Sequence, residues 1–396
     1  MSYEIVAGWR GSMELDWFAP PLYSDAPSEK RSRLLAVLRQ QMRDGASVNP
    51  AFRAFLDAQP LKLDQVRVLE ELPFLPVSIF KRVDPLCFLP GDLIYRVLES
   101  SATSGQQPSR IAIDRATAKL MSRGVTSIIS DFIGLHRRPY LIIDRPPTND
   151  RQSAANARTA AIQGLMGFAT EICYALRPAK PGEESDADPD GSVLDAEAVE
   201  AFCGKNHASD IVAYGFTYVV YLHLGGGIES SRMALERMRA RVGHALLPRA
   251  CILHSGGWKK LLHLSVDKEI FNQRVSAALG TPVSSVIDYY GMVEQLGVVY
   301  PDCPAGNKHA PRFAQVVLRK PLDWSACKEG DVGLIQVLSA LSPSFPGQSL
   351  LTEDLGLMVH EDGCPCGRRG IAFRFAGRVP KAEVRGCSDV QHRRLP

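Results

Sequence analysis

The sequence has little net charge, no long apolar run and no export signal. Its 46 Lys and Arg against 43 Asp and Glu give a formal charge of only +3, which does not indicate nucleic-acid binding. The first residues lack a basic segment followed by an apolar core and a cleavage site, so we expect no secretion. The longest apolar stretch, residues 211–224, is shorter than a membrane span and contains His223. We therefore expect a cytoplasmic protein that inserts into no membrane.

The nine cysteines are an odd number in a chain without an export signal. This favours reduced thiols, metal ligands or a reactive thiol over a disulfide framework. No internal repeat is visible, and 396 residues allow one large α/β domain or two domains.

Two helices are predicted near the start, within an expected helical lead-in of residues 1–60. Residues 28–45 carry apolar residues at helical spacing, with Ser28 as N-cap and Gly45 as the stop. The second helix begins with Asn49 as its cap and Pro50 in its first turn.

Apolar runs near residues 140, 215, 252 and 287 alternate with helix-like stretches. Such runs are typical of strands buried on both faces, so residues 61–312 are predicted to form an α/β core with a mostly parallel sheet covered by helices. The acidic segment 180–197 is predicted to be a mobile surface loop. Shorter strands after residue 313 predict a β-rich subdomain over 313–378, followed by a short tail over 379–396.

Four turns with chemical character follow strand-like runs. In an open α/β sheet such turns converge at the carboxyl edge, where ligands bind. Each turn alone is equally typical of a flexible loop, ordinary packing or a favourable helix start. Their candidate residues are Ser101, Thr103, Ser104 and Gly105; Gly256 and Gly257; Tyr290, Gly291 and Glu294; and Asp354.

The order of these turns resembles the adenylate-forming ligase superfamily, and within it the acyl-protein synthetases of bacterial luminescence (LuxE) and the related phenylacetate–CoA ligases. The motifs that carry the resemblance are LPFLPVSIFKR (72–82), ESSATSGQQPSR (99–110), VAYGFT (212–217), SGGWKK (255–260), DYYGMVEQ (288–295) and GRVPKAEVRGCSD (377–389). The implied fold is the large N-terminal-type domain, with mixed sheets covered by helices and a small β-rich subdomain. Because only nine residues follow Cys387, the usual mobile C-terminal domain is expected to be truncated.

The resemblance implies ATP and Mg²⁺ as ligands and assigns roles to the turns. It places Ser101, Thr103, Ser104 and Gly105 on the phosphates, Gly256, Gly257 and Gly291 at the nucleotide, Tyr290 on adenine, Asp354 on the ribose hydroxyls, Glu294 on Mg²⁺ and Arg378 against the nucleotide. Lys381 is the candidate for the cation that larger ligases carry on their C-terminal domain. Ala102 and Val293 depart from the pattern, where many members have glycine and threonine.

Two cysteine-containing turns predict a metal site. Cys303 and His309 form a Cys-x5-His pair, and Cys364 and Cys366 form a Cys-x-Cys pair. Three thiolates and an imidazole are the ligand set of a closed structural zinc site. Unrelated loop cysteines are the alternative, although similar turns occur in the phenylacetate–CoA ligases.

Cys387 is the candidate acyl acceptor. Arg385 beside it favours the thiolate, and in the acyl-protein synthetases a cysteine at the matching Arg-Gly-Cys position accepts the acyl group. The expected activity is ATP-dependent activation of a carboxylic acid, expected to be a fatty acid. The acyl group would be transferred to Cys387 and then to an acyl reductase. The alternatives are a ligase that uses coenzyme A or a carrier protein, with Cys387 incidental, and a scaffold that binds nucleotide or a reductase without turnover.

Overall fold

A computed structural model describes residues 17–84, 89–100, 108–147, 166–295 and 297–379 of the chain. Numbered in chain order, the helices of this part are α1 (Pro27–Val48), α2 (Pro50–Asp57), α3 (Arg115–Ile133), α4 (Ala196–Asn206), α5 (Thr217–His223), α6 (Glu229–Val242) and α7 (Lys268–Leu279). The strands are β1 (Leu75–Pro76), β2 (Arg96–Glu99), β3 (Arg110–Ile113), β4 (Arg138–Ile143), β5 (Ala169–Tyr174), β6 (Leu176–Pro178), β7 (Ser192–Leu194), β8 (Ile211–Phe216), β9 (Ala250–Ser255), β10 (Val286–Tyr290), β11 (Tyr300–Pro301), β12 (Lys308–His309), β13 (Ala314–Arg319), β14 (Val332–Ser339), β15 (Ser349–His360) and β16 (Ala372–Arg378).

The first large sheet has the order β11-β10-β9-β8-β4-β5. Strands β5, β4, β8, β9 and β10 run parallel, and only β11 is antiparallel to its neighbour. One face packs on α3, and the other is covered by side chains of α4, α5, α6 and α7. The predicted parallel sheet buried on both faces is confirmed.

The second large sheet is antiparallel through β12-β16-β15-β14-β13, and β1 joins β15 in parallel. Two strands of this sheet, β1 and β12, come from the part of the chain before residue 313, where the β-rich subdomain is predicted to begin. The three predicted boundaries, after residues 60, 312 and 378, stay predictions.

The N-terminal helices pack on the second sheet. The Lys30 side chain of α1 donates to the carbonyl of Ala310 at 2.7 Å. As predicted, the Asn49 side chain caps α2 by accepting from the amide of Phe52. The predicted limits of α1 were wrong: it begins at Pro27, whose ring suits the first helical position, and it continues through Gly45. No helix of the described residues combines the length and apolar character needed to cross a bilayer.

The acidic segment 180–197 is not the mobile surface loop that its sequence predicts. It connects β6 to β7 and includes β7, which pairs with β6, and its Asp188 is buried. The Asp188 carboxylate lies 3.3 Å from Nε2 of His223, whose Nδ1 lies 3.1 Å from the Ser231 hydroxyl. Composition alone could not predict this buried contact, because the residues that complete it lie on α5 and α6, more than thirty residues after Asp188.

A buried lysine joins the two large sheets. Lys308 of β12 is 2% exposed, and its ammonium lies 2.8 Å from Asp288 of β10 and 3.2 Å from Asp302. Lys268 at the start of α7 contacts Asp302 from the other side at 2.5 Å. Burial alone would raise the pKa of Asp288, but its neighbours together, Lys308 first among them, outweigh burial and hold that pKa below its usual value. This cluster fixes β10 against the second sheet.

We expect Gly124→Ala to lower the free energy of unfolding by about 1–3 kcal/mol, because overpacking outweighs the better helix propensity of alanine. Gly124 lies in α3, and an added Cβ would stand 2.4 Å from the carbonyl oxygen of Gly297 and 2.5 Å from Leu341. Urea unfolding measures the change. The matched control is Gly204→Ala in α4, where no atom lies within 4 Å of the added Cβ, and there stability should hold or rise. Equal effects of the two variants would contradict the contact.

Lys308→Met should destabilise the protein by about 3 kcal/mol at pH 7, because Asp288 and Asp302 stay buried without their cation. In wild type the lowered pKa of Asp288 gives stability that is present above its unfolded pKa and lost as pH falls below it. In the variant the pKa of Asp288 should rise, so acidification relieves the penalty. The difference in the free energy of unfolding between wild type and Lys308→Met should therefore be smaller at pH 5 than at pH 7, as measured by urea unfolding.

The control is Lys320→Met, which breaks the exposed Lys320–Asp331 pair at 3.1 Å. An exposed ion pair contributes little, so this variant should unfold like wild type at both pH values. A pH-independent loss in Lys308→Met would refute the buried-charge explanation.

Candidate active site

Three neighbouring parallel strands end together at one edge of the first sheet. Phe216 of β8 pairs with Ser255 of β9, and Tyr289 of β10 pairs with the same Ser255. The glycine turn that follows β9 and the Tyr290-Gly291 turn that ends β10 therefore lie side by side. This is the edge where parallel α/β sheets bind ligands.

The glycine turn needs its first glycine. Gly256 has φ +80°, and a Cβ there would come within 3.1 Å of the Phe216 ring. An added Cβ on Gly257 would meet only open space, so this position leaves the backbone accessible. The predicted role of Gly256, Gly257 and Gly291 at a nucleotide stays a prediction.

Asp354 brings together three of the predicted site residues. One carboxylate oxygen accepts from the Tyr290 hydroxyl at 2.9 Å, and the other accepts from Nε of Arg378 at 2.8 Å. Asp354 and Arg378 are direct partners across β15 and β16, whereas Tyr290 reaches over from the first sheet. The residue is 6% exposed. The site therefore holds an oriented carboxylate where the two large sheets meet.

The Tyr290 ring has protein neighbours of its own. It stacks on Phe375 with centroids 5.8 Å apart and tilts against Tyr300 at 5.9 Å. Burial, together with the Asp354 carboxylate, raises the pKa of Tyr290 well above its usual value. The hydroxyl therefore stays a hydrogen-bond donor at neutral pH, and the predicted adenine stack stays a prediction.

Glu294 lies in the short 3-10 turn Val293–Gln295 just beyond Tyr290. It is 8% exposed, and no side chain in the described part of the chain forms an ion pair or hydrogen bond with its carboxylate. A buried carboxylate suits Mg²⁺, which prefers oxygen ligands and few of them from protein.

An aromatic cluster with a buried histidine borders the glycine turn. His254 precedes Ser255, and its Nδ1 lies 3.0 Å from the Thr217 hydroxyl. Its ring lies 4.5 Å from that of Phe271, and Trp258 packs edge-on against Tyr221 at 4.9 Å. Burial lowers the pKa of His254, so the ring is neutral at pH 7.

The predicted metal ligands form one cluster. The ligand atoms of Cys303, His309, Cys364 and Cys366 all lie within 4.8 Å of one another. Sγ of Cys303 and Cys364 are 4.0 Å apart, too far for a disulfide, and Sγ of Cys366 lies 3.4 Å from Nε2 of His309. A tetrahedral zinc ion would set such distances at about 3.8 and 3.6 Å, so these two pairs are spaced as zinc ligands would be.

The surroundings of the cluster favour a neutral imidazole at His309 and a thiolate at Cys364. Burial, with the nearby charges of Arg368 and Lys30, lowers the pKa of His309 to about 4, which leaves its imidazole neutral. Burial alone would raise the pKa of Cys364, but hydrogen-bond donors lower it below its usual value, and one of them is the Asn307 side chain at 3.4 Å. N–H donors to a sulfur of this kind stabilise a bound thiolate.

Several predicted residues fall outside the described part of the chain. They are Ser101, Thr103, Ser104, Gly105, Lys381 and Cys387. Their predicted roles stay predictions. Sequence reasoning missed three contributors that the structure identifies: Asn307, Phe375 and Lys308. Asn307 and Lys308 lie between Cys303 and His309, so the polar run inside the Cys-x5-His spacing was the available signal.

Two curated relatives are similar over most of this chain. The long-chain-fatty-acid–luciferin-component ligase of Aliivibrio fischeri is 23% identical over 326 residues, 82% of this chain and 79% of its own length. The enzyme with the same name from Vibrio harveyi is 24% identical over 329 residues, which are 82% of this chain and 78% of that enzyme's length.

Solved structures confirm the fold. An open conformation of 2-hydroxyisobutyryl-CoA ligase, in complex with 2-HIB-AMP and CoA, matches with a TM-score of 0.61 at 16% identity, over 91% of this chain and 77% of that one. The same ligase in its thioesterification state also matches with a TM-score of 0.61, over 91% of this chain and 71% of that one. The expected α/β fold of an adenylate-forming ligase is thereby confirmed. The acyl-protein synthetase, LuxE, family matches residues 21–395, and this chain belongs to that family.

Proposed function

We propose that the protein activates a fatty acid with ATP and passes the acyl group to the thiol of Cys387, from which an acyl reductase takes it. The observation that carries the proposal is the meeting of Tyr290, Asp354 and Arg378 beside the Gly256-Gly257 turn. An oriented, buried carboxylate is suited to the two ribose hydroxyls of a nucleotide. Family membership and the ligase names of the relatives support the reaction class.

The first step forms an acyl-adenylate. A carboxylate oxygen attacks the α-phosphorus of ATP, the bond to the β-phosphate breaks, and pyrophosphate leaves. The residues proposed for this step would neutralise the phosphate charge and orient the phosphates. Glu294 would bind Mg²⁺ on the phosphates, and residues Ser101 to Gly105 would donate hydrogen bonds to them. Trp258, which is partly buried and packs on Tyr221 and Phe271, offers apolar surface for an acyl chain.

The second step forms a thioester. The Cys387 thiolate attacks the acyl carbonyl carbon, the bond to the adenylate oxygen breaks, and AMP leaves, while the thiol proton goes to solvent. AMP is a far better leaving group than hydroxide, which is why the acid is activated first. Arg385 favours the thiolate, and Lys381 is the proposed cation near the reacting phosphate.

We also propose that Cys303, His309, Cys364 and Cys366 hold a structural zinc ion. The four protein ligands would fill a tetrahedral sphere, so the ion would have no open position for catalysis. Cys303 follows β11 of the first sheet, whereas Cys364 and Cys366 lie in the turn between β15 and β16. The ion would therefore tie the second sheet to the first.

Cys387→Ser is the decisive variant for the acceptor. With a panel of fatty acids, wild type should release AMP and gain the mass of one fatty acid less one water. Cys387→Ser should keep acid-dependent pyrophosphate exchange within about twofold, yet form no acylated protein, because only the second step needs the thiol. Intact-mass spectrometry and radiolabelled exchange measure the two steps separately.

The control is Cys173→Ser, which replaces another free cysteine and should acylate like wild type. Full thioester formation on coenzyme A by Cys387→Ser would identify coenzyme A as the acceptor and overturn the role of Cys387. Absence of pyrophosphate exchange with every acid would favour a binding scaffold and overturn catalysis.

Cys366→Ser should remove the metal. We expect about one zinc ion per wild-type chain by elemental analysis and a loss of at least about tenfold in zinc affinity in the variant, with a lower unfolding temperature. Cys173→Ser should keep the metal. A zinc content in Cys366→Ser equal to that of wild type would contradict the proposed ligand set.

A further inference from the structure

We propose that Tyr290 is a positioning residue whose hydroxyl orients the Asp354 carboxylate toward the ribose. This inference rests on the proposed function, because it assumes that Asp354 binds a nucleotide. The adenine stack concerns the ring of Tyr290. The proposal concerns the hydroxyl, which donates to Asp354 at 2.9 Å.

The Asp354 carboxylate is held on both oxygens. Tyr290 donates to one oxygen and Arg378 to the other, so rotation of the carboxylate breaks both bonds. A carboxylate has about four lone-pair sites, and these two donors leave about two for the two ribose hydroxyls. The backbone is fixed as well, because the Asp354 amide lies 3.1 Å from the Thr352 hydroxyl, which is 2.8 Å from the carbonyl of Ile335.

The two donors are not equivalent. The Arg378 side chain is 75% exposed, so water can replace its contact at little cost. The Tyr290 ring is fixed between Tyr300 and Phe375, and its hydroxyl faces a carboxylate that is mostly shielded from solvent. The tyrosine bond is therefore the one that sets the direction of Asp354.

The bond also aligns the two halves of the nucleotide site. Tyr290 ends β10, beside the glycine turn of the first sheet, whereas Asp354 lies on β15 of the second sheet. A hydrogen bond between them sets the ribose acceptor at a fixed place relative to the Gly256-Gly257 turn. Such positioning matters because the acid must meet the α-phosphorus in line.

Tyr290→Phe separates the hydroxyl from the ring. We expect the KM for ATP to rise about tenfold with kcat at saturating ATP unchanged, since a hydrogen bond to a charged group is lost from a binding contact. The preference for ATP over 2′-deoxy-ATP should fall by a similar factor. AMP and 2′-deoxy-AMP affinities by calorimetry give the same comparison without turnover.

A double-mutant cycle tests the route of the effect. If Tyr290 acts through Asp354, then Tyr290→Phe combined with Asp354→Asn should lose no more nucleotide affinity than Asp354→Asn alone. The matched control is Tyr300→Phe, which removes a hydroxyl bonded to Gln295 at 3.1 Å and should leave the preference for ribose unchanged. Thermal unfolding checks that each variant folds.

The outcomes separate the two proposals. Wild type that binds neither nucleotide would overturn the proposed function. Wild type that prefers ATP over 2′-deoxy-ATP, with a Tyr290→Phe variant that keeps the same preference and KM, would overturn the positioning role alone. Additive losses in the double variant would also overturn it, because Tyr290 would then act independently of Asp354.

Discussion

The buried ammonium of Lys308 is the contact on which the arrangement of the two large sheets depends. It needs Asp288 and Asp302 together, because a single carboxylate would not offset the cost of removing the lysine from water. These carboxylates lie on and after the strands of the first sheet, and the lysine lies on the second. The ion cluster therefore has low energy only when the two sheets are docked in one register.

Each candidate site lies a step or two along the chain from this cluster. Tyr290 follows Asp288 by two residues on β10, which places both side chains on the same side of the strand, toward the second sheet. Cys303 directly follows Asp302, and His309 directly follows Lys308. The same backbone segments thus carry the charges that dock the sheets, the hydroxyl that reaches Asp354 and two of the cysteine-cluster ligands. A shift of this register would disturb all three.

The sequence was informative wherever a pattern is local. Apolar runs predicted the parallel sheet, Asn49-Pro50 predicted the start of α2, and the Cys-x5-His and Cys-x-Cys spacings predicted the cluster that the structure brings within 4.8 Å. It was uninformative where a side chain meets a distant partner. Nothing in the letters pairs Tyr290 with Asp354, 64 residues later, or distinguishes Lys308 from a solvated lysine. The acidic segment was misjudged for the same reason, since its composition predicts exposure and only tertiary contacts bury Asp188.

The position of Arg378 bears on the proposed acyl transfer. It ends β16 with its guanidinium on Asp354, so the last strand of the second sheet finishes beside the proposed ribose contact. Cys387 follows nine residues later, and nine residues span at most about 30 Å when fully extended. A thiol tethered within that distance would have a high effective concentration at an acyl-adenylate bound through Asp354. The pairing of β16 with β15 at Asp354 would thus serve both steps of the proposed reaction, because it brings the carboxylate that holds the nucleotide close to the point from which the acceptor thiol is tethered.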